Sequence, residues 1–248
     1  AGFSAAQALQ SSLNPTLGEI NLAAAYAAFV ATGLICSPII SSVVTRCGWC
    51  SIVVATACTY PAMILSNLAS GSAQFFVEPI VYVLTGVAGA FLWTTQNTYF
   101  GECASHCGLA EASRSGTSVE DAVKKMTTQF NSSFFGIFQF SNTTGCLLSS
   151  FLMLAFSGVA WLKDLLFFVL AAIAFCGAVT FLLLPNIHIR RDSREEAPSL
   201  MSALRAIGDI RFMLLTPWIL SQGMTYAFVN GDFTSDIVSP LLGPAYVG

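Results

Sequence analysis

From Met126 to Phe156 the chain carries no charged residue, yet it is dense in amides, hydroxyls and glycines. The stretch is long enough to cross a bilayer, since roughly 20 apolar residues span the hydrocarbon core. At about 100° per residue, Gln129, Ser132, Gly136, Gln139, Thr143, Cys146 and Ser150 share one narrow face. Phe130, Phe134, Ile137, Leu148 and Leu152 fall opposite. An unpaired amide in hydrocarbon is costly, so the polar side is expected to turn inward, toward other helices or a cavity. Gln139 should then find a partner, and the amides of the preceding span, Gln96 or Asn97, are the candidates.

Composition agrees with a membrane setting. Hydrophobic residues make up 55% and charged residues 9%, whereas a soluble domain carries about 25% charge. The mean hydropathy is +0.71. These values define an all-α integral membrane protein with the lipid bilayer as its first partner. A net charge of −3 lacks the basic footprint that nucleic acid requires. Cys36, Cys58, Cys146 and Cys176 lie in apolar runs, where thiols behave as small hydrophobes. No basic segment precedes an apolar run as in a cleavable signal peptide.

Residues 1–13 read as the end of a first span cut short, with the expectation that residues precede Ala1. Asn14-Pro15 forms a turn, and Leu17 to Val44 holds a second span rich in small residues, which let helices approach closely. The link 45–50 leads to a third span, Ser51 to Ala69. Residues 70–77 form a brief loop, and Glu78-Pro79 opens a fourth span ending near Phe100. On that span Tyr82, Gly86, Gly89, Trp93, Gln96 and Asn97 share a face, the counterpart of the polar stripe beyond it. A loop from Gly101 to Lys125 is expected next, with Ser118 and Glu120-Asp121 starting a short interfacial helix. Trp161 to Leu184 forms a sixth span, ended by Pro185. The polar linker 186–209 clusters Arg190, Arg191 and Arg194 and repeats Leu200, Met201, Leu204 and Ile207 at the spacing of a surface-lying helix. A seventh span runs from Phe212 to Val229.

Alternating these spans places every basic residue except Lys163 on one side of the membrane, out of 10 Lys and Arg in all. That side is cytosolic, or its organellar equivalent, by the positive-inside rule.

Six spans, a basic linker and a further span is the layout of a two-half transporter fold. The passage from Gly2 to Leu17-Gly18 is echoed from Gly223 to Leu242-Gly243. SLNPTLGEINLAAAYAAF, GVAGAFLWTTQNTY, FFGIFQFSNTTGCLLSS and PWILSQGMTYAFVNGDFTSDIV resemble the Unc-93-like branch of the major facilitator superfamily. Gly231-Asp232-Phe233-Thr234 matches a string recurrent in that family. The resemblance implies a twelve-helix protein, of which this chain is a six-helix half bundle plus the start of the second half, about seven transmembrane helices. On that reading 1–184 is the first half with a truncated first helix, 185–210 the basic linker, and 211–248 the start of the second half. Arg46-x-Gly48 sits at the superfamily's loop motif between spans two and three, where Cys47, Trp49 and Cys50 replace positions commonly basic. Family members are known as regulatory partners of potassium channels or trafficking partners of Toll-like receptors.

Chemistry-bearing patterns are sparse. No phosphate-cradling loop or nucleophile elbow is present, and His106 and His188 are the only histidines, so no enzyme is read here and no cofactor is called for. Cys47-x-x-Cys50 and Cys103-x-x-His106-Cys107 carry zinc-ligand residue types, but at irregular spacing, and reduced thiols account for them. Asn131-Ser-Ser and Asn142-Thr-Thr lie within a span, beyond reach of glycosylation. Glu19, Glu78, Glu102, Lys163 and Asp232 all lie near span ends, which leaves the first half without a buried titratable group for proton coupling. Two readings of Gln96, Asn97, Gln129, Ser132, Gln139 and Thr143 remain. They hold helices together in an auxiliary subunit of another integral membrane protein, such as a channel or receptor, or they line a path for a small solute or ion.

Overall fold

The computed structural model describes residues 2–13, 15–156, 159, 161–185, 187, 201, 205 and 208–243. Among them every regular element is helical: α1 Gly2–Leu13, α2 Pro15–Cys47, α3 Trp49–Ala57, α4 Thr59–Ser66, α5 Gln74–Ser115, α6 Val119–Ala155 and α7 Leu162–Thr180. After the linker come α8 Ile210–Phe228, a π-helical stretch Val229–Val238 and α9 Ser239–Leu242. The linker readings at Arg190, Arg191, Arg194, Leu200, Leu204 and Ile207 lie outside the described residues.

Among the described residues four stretches are long and apolar enough to cross a membrane, Thr16–Cys36, Trp49–Ser66, Gly71–Ser115 and Leu162–Leu183, fewer than the seven spans expected. The outer surface suits lipid. Large side chains such as Phe140, Leu183, Leu214 and Leu241 stand exposed on it, an arrangement a water-soluble monomer avoids. This is a multi-pass integral membrane protein.

Small residues set the packing. α5 lies along α2, and a Cβ at Gly86 would run into the carbonyl of Ala25. One turn on, a Cβ at Gly89 would come within 3.2 Å of both Phe29 and the Tyr60 hydroxyl. Without side chains at these points the backbones approach closely, which is how membrane helices gain dispersion contact. Two cores result. Leu9, Met63, Ile64, Tyr82, Phe167 and Leu170 join α1, α4, α5 and α7. Ile40, Val44, Trp49, Ile52, Ala90 and Tyr99 join α2, α3 and α5 toward the other end.

The second core explains the short link after α2. Gly48, at φ 76°, adopts a left-handed conformation that lets α3 begin at once. Trp49 is buried, and its indole N–H donates to the Ile187 carbonyl at 2.6 Å. Tyr99 donates to the Pro185 carbonyl at 3.1 Å. The chain leaving α7 is thereby fastened to α3 and α5.

Two expected boundaries are corrected. The loop 70–77 is shorter than expected: a 3-10 turn at Gly71–Ala73 leads into α5 at Gln74, so Glu78 and Pro79 lie inside the helix. More consequentially, no loop runs from Gly101 to Lys125. α5 continues for 42 residues to Ser115, and only Gly116, Thr117 and Ser118 turn the chain into α6. Ala104, Gly108 and Ala112 fall four apart on one buried stripe, and Val123 of α6 packs directly on Gly108. Their charged neighbours made the segment look like a solvated loop, whereas the small-residue stripe makes it a tight helical hairpin. Ser118 does cap a helix, accepting from the Asp121 amide at 3.1 Å, but that helix is α6 itself.

Candidate functional site

Between the two cores lies a cavity of about 510 Å³ among α1, α2, α4, α5 and α6. Its wall is chiefly aromatic, with Tyr26, Phe29, Tyr60, Trp93, Phe134 and Phe138 contributing rings. Trp93 meets Phe134 and Phe138 edge-on at centroid distances of 5.9 and 5.4 Å, and those two phenylalanines stack at 5.9 Å. Polar groups are few: Gln96 and Asn142 face the space, and Gln7 donates to the Tyr26 hydroxyl at 2.7 Å. An apolar hollow with a few converging polar groups is the usual form of a ligand site.

Below the cavity sits a carboxylate that the sequence reading placed at a span mouth. Glu78 is fully buried. Gln10 of α1 and Asn21 of α2 both donate side-chain amides to its Oε2, at 3.1 and 2.7 Å. Both amide residues are themselves buried. The expectation that this bundle lacks a buried titratable group is therefore overturned. Position near a helix end did not mean exposure, because α1 and α2 close over α5 there. The signal available in the sequence was the pair Gln10 and Asn21, two amides in otherwise small or apolar segments. A second polar junction lies nearby, where the buried Asn67 amide caps the Met63 carbonyl at 3.0 Å and meets the Tyr82 hydroxyl at 3.5 Å.

The predicted polar residues separate into two environments. Gln96 lies on the cavity wall, whereas Asn97 points outward. Gln129, Ser132, Gln139 and Thr143 are all exposed. The pairing of Gln139 with Gln96 or Asn97 is corrected, since Gln139 receives a 3.5 Å contact from the Asn142 amide on its own helix, whereas Cys146 and Ser150, farther along the stripe, are half-buried. The reason lies in the opposite face. Phe130 and Phe134 pack on Phe100, and Phe134 and Phe138 pack on Trp93. Each aromatic pair contributes about 0.5–1.5 kcal/mol beyond its contact area, while an interhelical hydrogen bond in a membrane averages about 0.6 kcal/mol. Several ring contacts outweigh one or two amides. Ser132 and Thr143 meanwhile donate to carbonyls of their own helix, at 3.1 and 3.2 Å.

Arg46 is exposed beside Gly48 at the end of α2. Gly231, Asp232, Phe233 and Thr234 fall in the π-helical stretch, which packs against α1, and Thr234 is buried there. The cysteines are free thiols, and among the described residues no group of three or more His, Cys, Asp or Glu could hold a metal.

A multi-pass helical bundle with an aromatic interior cavity and a carboxylate closed in by amides defines a polytopic membrane protein. Residues 10–239 match the family described as "Ion channel regulatory protein UNC-93", and the chain belongs to that family. It is 27% identical to Protein unc-93 homolog A of Xenopus laevis, over 99% of this chain and 60% of the relative. The homolog A of Danio rerio is 27% identical over 98% and 57%, and UNC93-like protein 3 of Arabidopsis thaliana 27% identical over 99% and 52%. The chain thus spans a little over half the length of these curated relatives. No solved structure matches it.

Proposed function

We propose that this chain is the membrane-embedded part of a non-enzymatic regulatory or trafficking subunit that associates with another integral membrane protein, an ion channel or a receptor. The family's description supports regulation of a channel. The observation that carries the reading is the outward face of α6, where Gln129, Ser132, Gln139 and Thr143 stand exposed and uncharged. Leaving an amide unpaired in hydrocarbon costs about 2–7 kcal/mol, so protein, whether the second half of the twelve-helix molecule or a separate partner, covers that face more readily than lipid does. Small and amide-bearing surfaces of this kind join transmembrane helices. In this reading the chain comprises a six-helix half over 1–184, a cytosolic linker over 185–210 and the start of a second half over 211–248, within a major-facilitator-type protein of twelve helices.

A second reading, a carrier of a small solute or ion, is favoured by the 510 Å³ cavity and by Gln96 on its wall. Two measurements separate the readings. Co-expression of the whole protein with a channel should change the channel's current density, and replacing Gln129 and Gln139 together by leucine should remove that change at equal surface expression. Saturable, gradient-driven uptake into proteoliposomes, lost in Gln96→Leu, would instead establish the carrier and overturn the auxiliary reading.

A further inference from the structure

The buried Glu78 cluster has an incomplete set of partners. Both amide donors, from Gln10 and Asn21, converge on Oε2, which leaves the carboxylate's Oε1 fully buried without a hydrogen-bond partner. Asn21 spends its amino group on that same contact, and its own Oδ1 is likewise buried and unpartnered. Two bare acceptor oxygens therefore lie on adjoining side chains, each of whose residues is completely enclosed. Neither can satisfy the other, because both only accept. Gln74, one turn earlier on α5, also comes within hydrogen-bonding range of the carboxylate, yet Oε1 is left without a partner. Lys163, in the first turn of α7, acts on Glu78 electrostatically without closing to an ion pair. Tyr82, one turn along α5, is also in electrostatic range, and its hydroxyl is engaged with Asn67.

What this arrangement lacks is one positive charge placed between acceptor oxygens. An isolated ionised carboxylate in an apolar interior is strongly unfavourable unless it is paired or neutralised. A proton on Oε1 makes it a donor while Oε2 keeps both amide bonds. An alkali cation instead takes Oε1 and Asn21 Oδ1 as hard oxygen ligands of the type such ions prefer. We propose that Glu78, Asn21 and Gln10 form a binding site for a single exchangeable monovalent cation, a proton or an alkali ion, and that its occupancy clamps α1 and α2 onto α5. Because the three side chains come from three helices, filling the site joins the bundle where α1 meets α2. Emptying it loosens the same junction.

The test uses the whole protein in lipid nanodiscs, with thermal unfolding followed by tryptophan fluorescence. One arm titrates sodium, lithium or potassium chloride against N-methylglucamine chloride at fixed pH. The other lowers the pH in N-methylglucamine alone. Wild-type protein is expected to gain about 2–5 °C in unfolding midpoint, saturably, in one of the two arms, and the responding arm identifies the ion. Glu78→Gln supplies an amino group where the charge would sit, so its midpoint should match the filled wild type and stay unresponsive in both arms. Asn21→Ala keeps the carboxylate but removes one bare oxygen, and should shift the alkali titration to at least tenfold higher concentration if the ion is an alkali metal, leaving the acid response in place if it is a proton. A wild-type midpoint that moves no more than that of Glu78→Gln in either arm overturns the proposal.

Discussion

Asn21 is the residue whose loss most directly reports what holds α1, α2 and α5 together. Its amide makes the shorter of the two bonds to Glu78, 2.7 Å in a fully enclosed setting. Asn21→Leu is expected to destabilise the bundle by about 1.5–3 kcal/mol, the range for losing a hydrogen bond to a charged or otherwise buried acceptor. Denaturant unfolding in nanodiscs measures this, and a loss under about 0.5 kcal/mol would show that Glu78 does not depend on Asn21. The importance of this position is hard to read in one dimension. Gln10 and Asn21 lie 68 and 57 residues from Glu78, and nothing local to Glu78-Pro79 distinguishes a buried acid from one at the membrane surface.

At the scale of elements, glycines separate contact from surface. Gly86 and Gly136 both sit in long helices on faces the sequence marks as shared with polar residues. A Cβ at Gly86 meets the backbone of Ala25, whereas a Cβ at Gly136 meets nothing within 4 Å. Gly86→Ala is therefore expected to cost about 1–3 kcal/mol by forcing α2 away from α5. Gly136→Ala should be neutral or raise stability by about 0.5–1 kcal/mol, because alanine is the better helix former. The pair can be compared in one unfolding assay, and equal losses would refute the packing described between α2 and α5. The small-residue character of α2 was legible in the sequence and foretold a close approach. That α5 and α6 run on through residues 101–125 as a tight hairpin was not, since Ala104, Gly108 and Ala112 form a seam only when α6 is laid beside them.

For the whole molecule, the division between inside and outside of α6 carries the functional argument. Phe130, Phe134 and Phe138 secure the helix to α5, so replacing Gln139 by leucine should leave the stability of the bundle within about 0.5 kcal/mol. Under the auxiliary reading the same substitution weakens association with the partner, measured as loss of co-purification with a co-expressed channel at unchanged protein level. A large drop in stability without any change in association would return Gln139 to the role of an internal packing residue. The π-helical stretch belongs to this scale as well. It packs against α1, and Thr234 within it is buried, so the segment after the linker is packed onto the first helix of the chain.

Hydropathy determined by itself that this chain is a helical, multi-pass membrane protein, because runs of apolar residues act through local solvation alone. Local pattern also determined the cap at Ser118 and the facing of Tyr82, Gly86, Gly89, Trp93 and Gln96 toward one side of α5. Tertiary structure decided which side of α6 is inside and which acid is buried. Both depend on which helices meet. Ring contacts between α5 and α6 outweigh the amides of the polar stripe, and α1 and α2 fold over a carboxylate that the linear order leaves at the edge of its span.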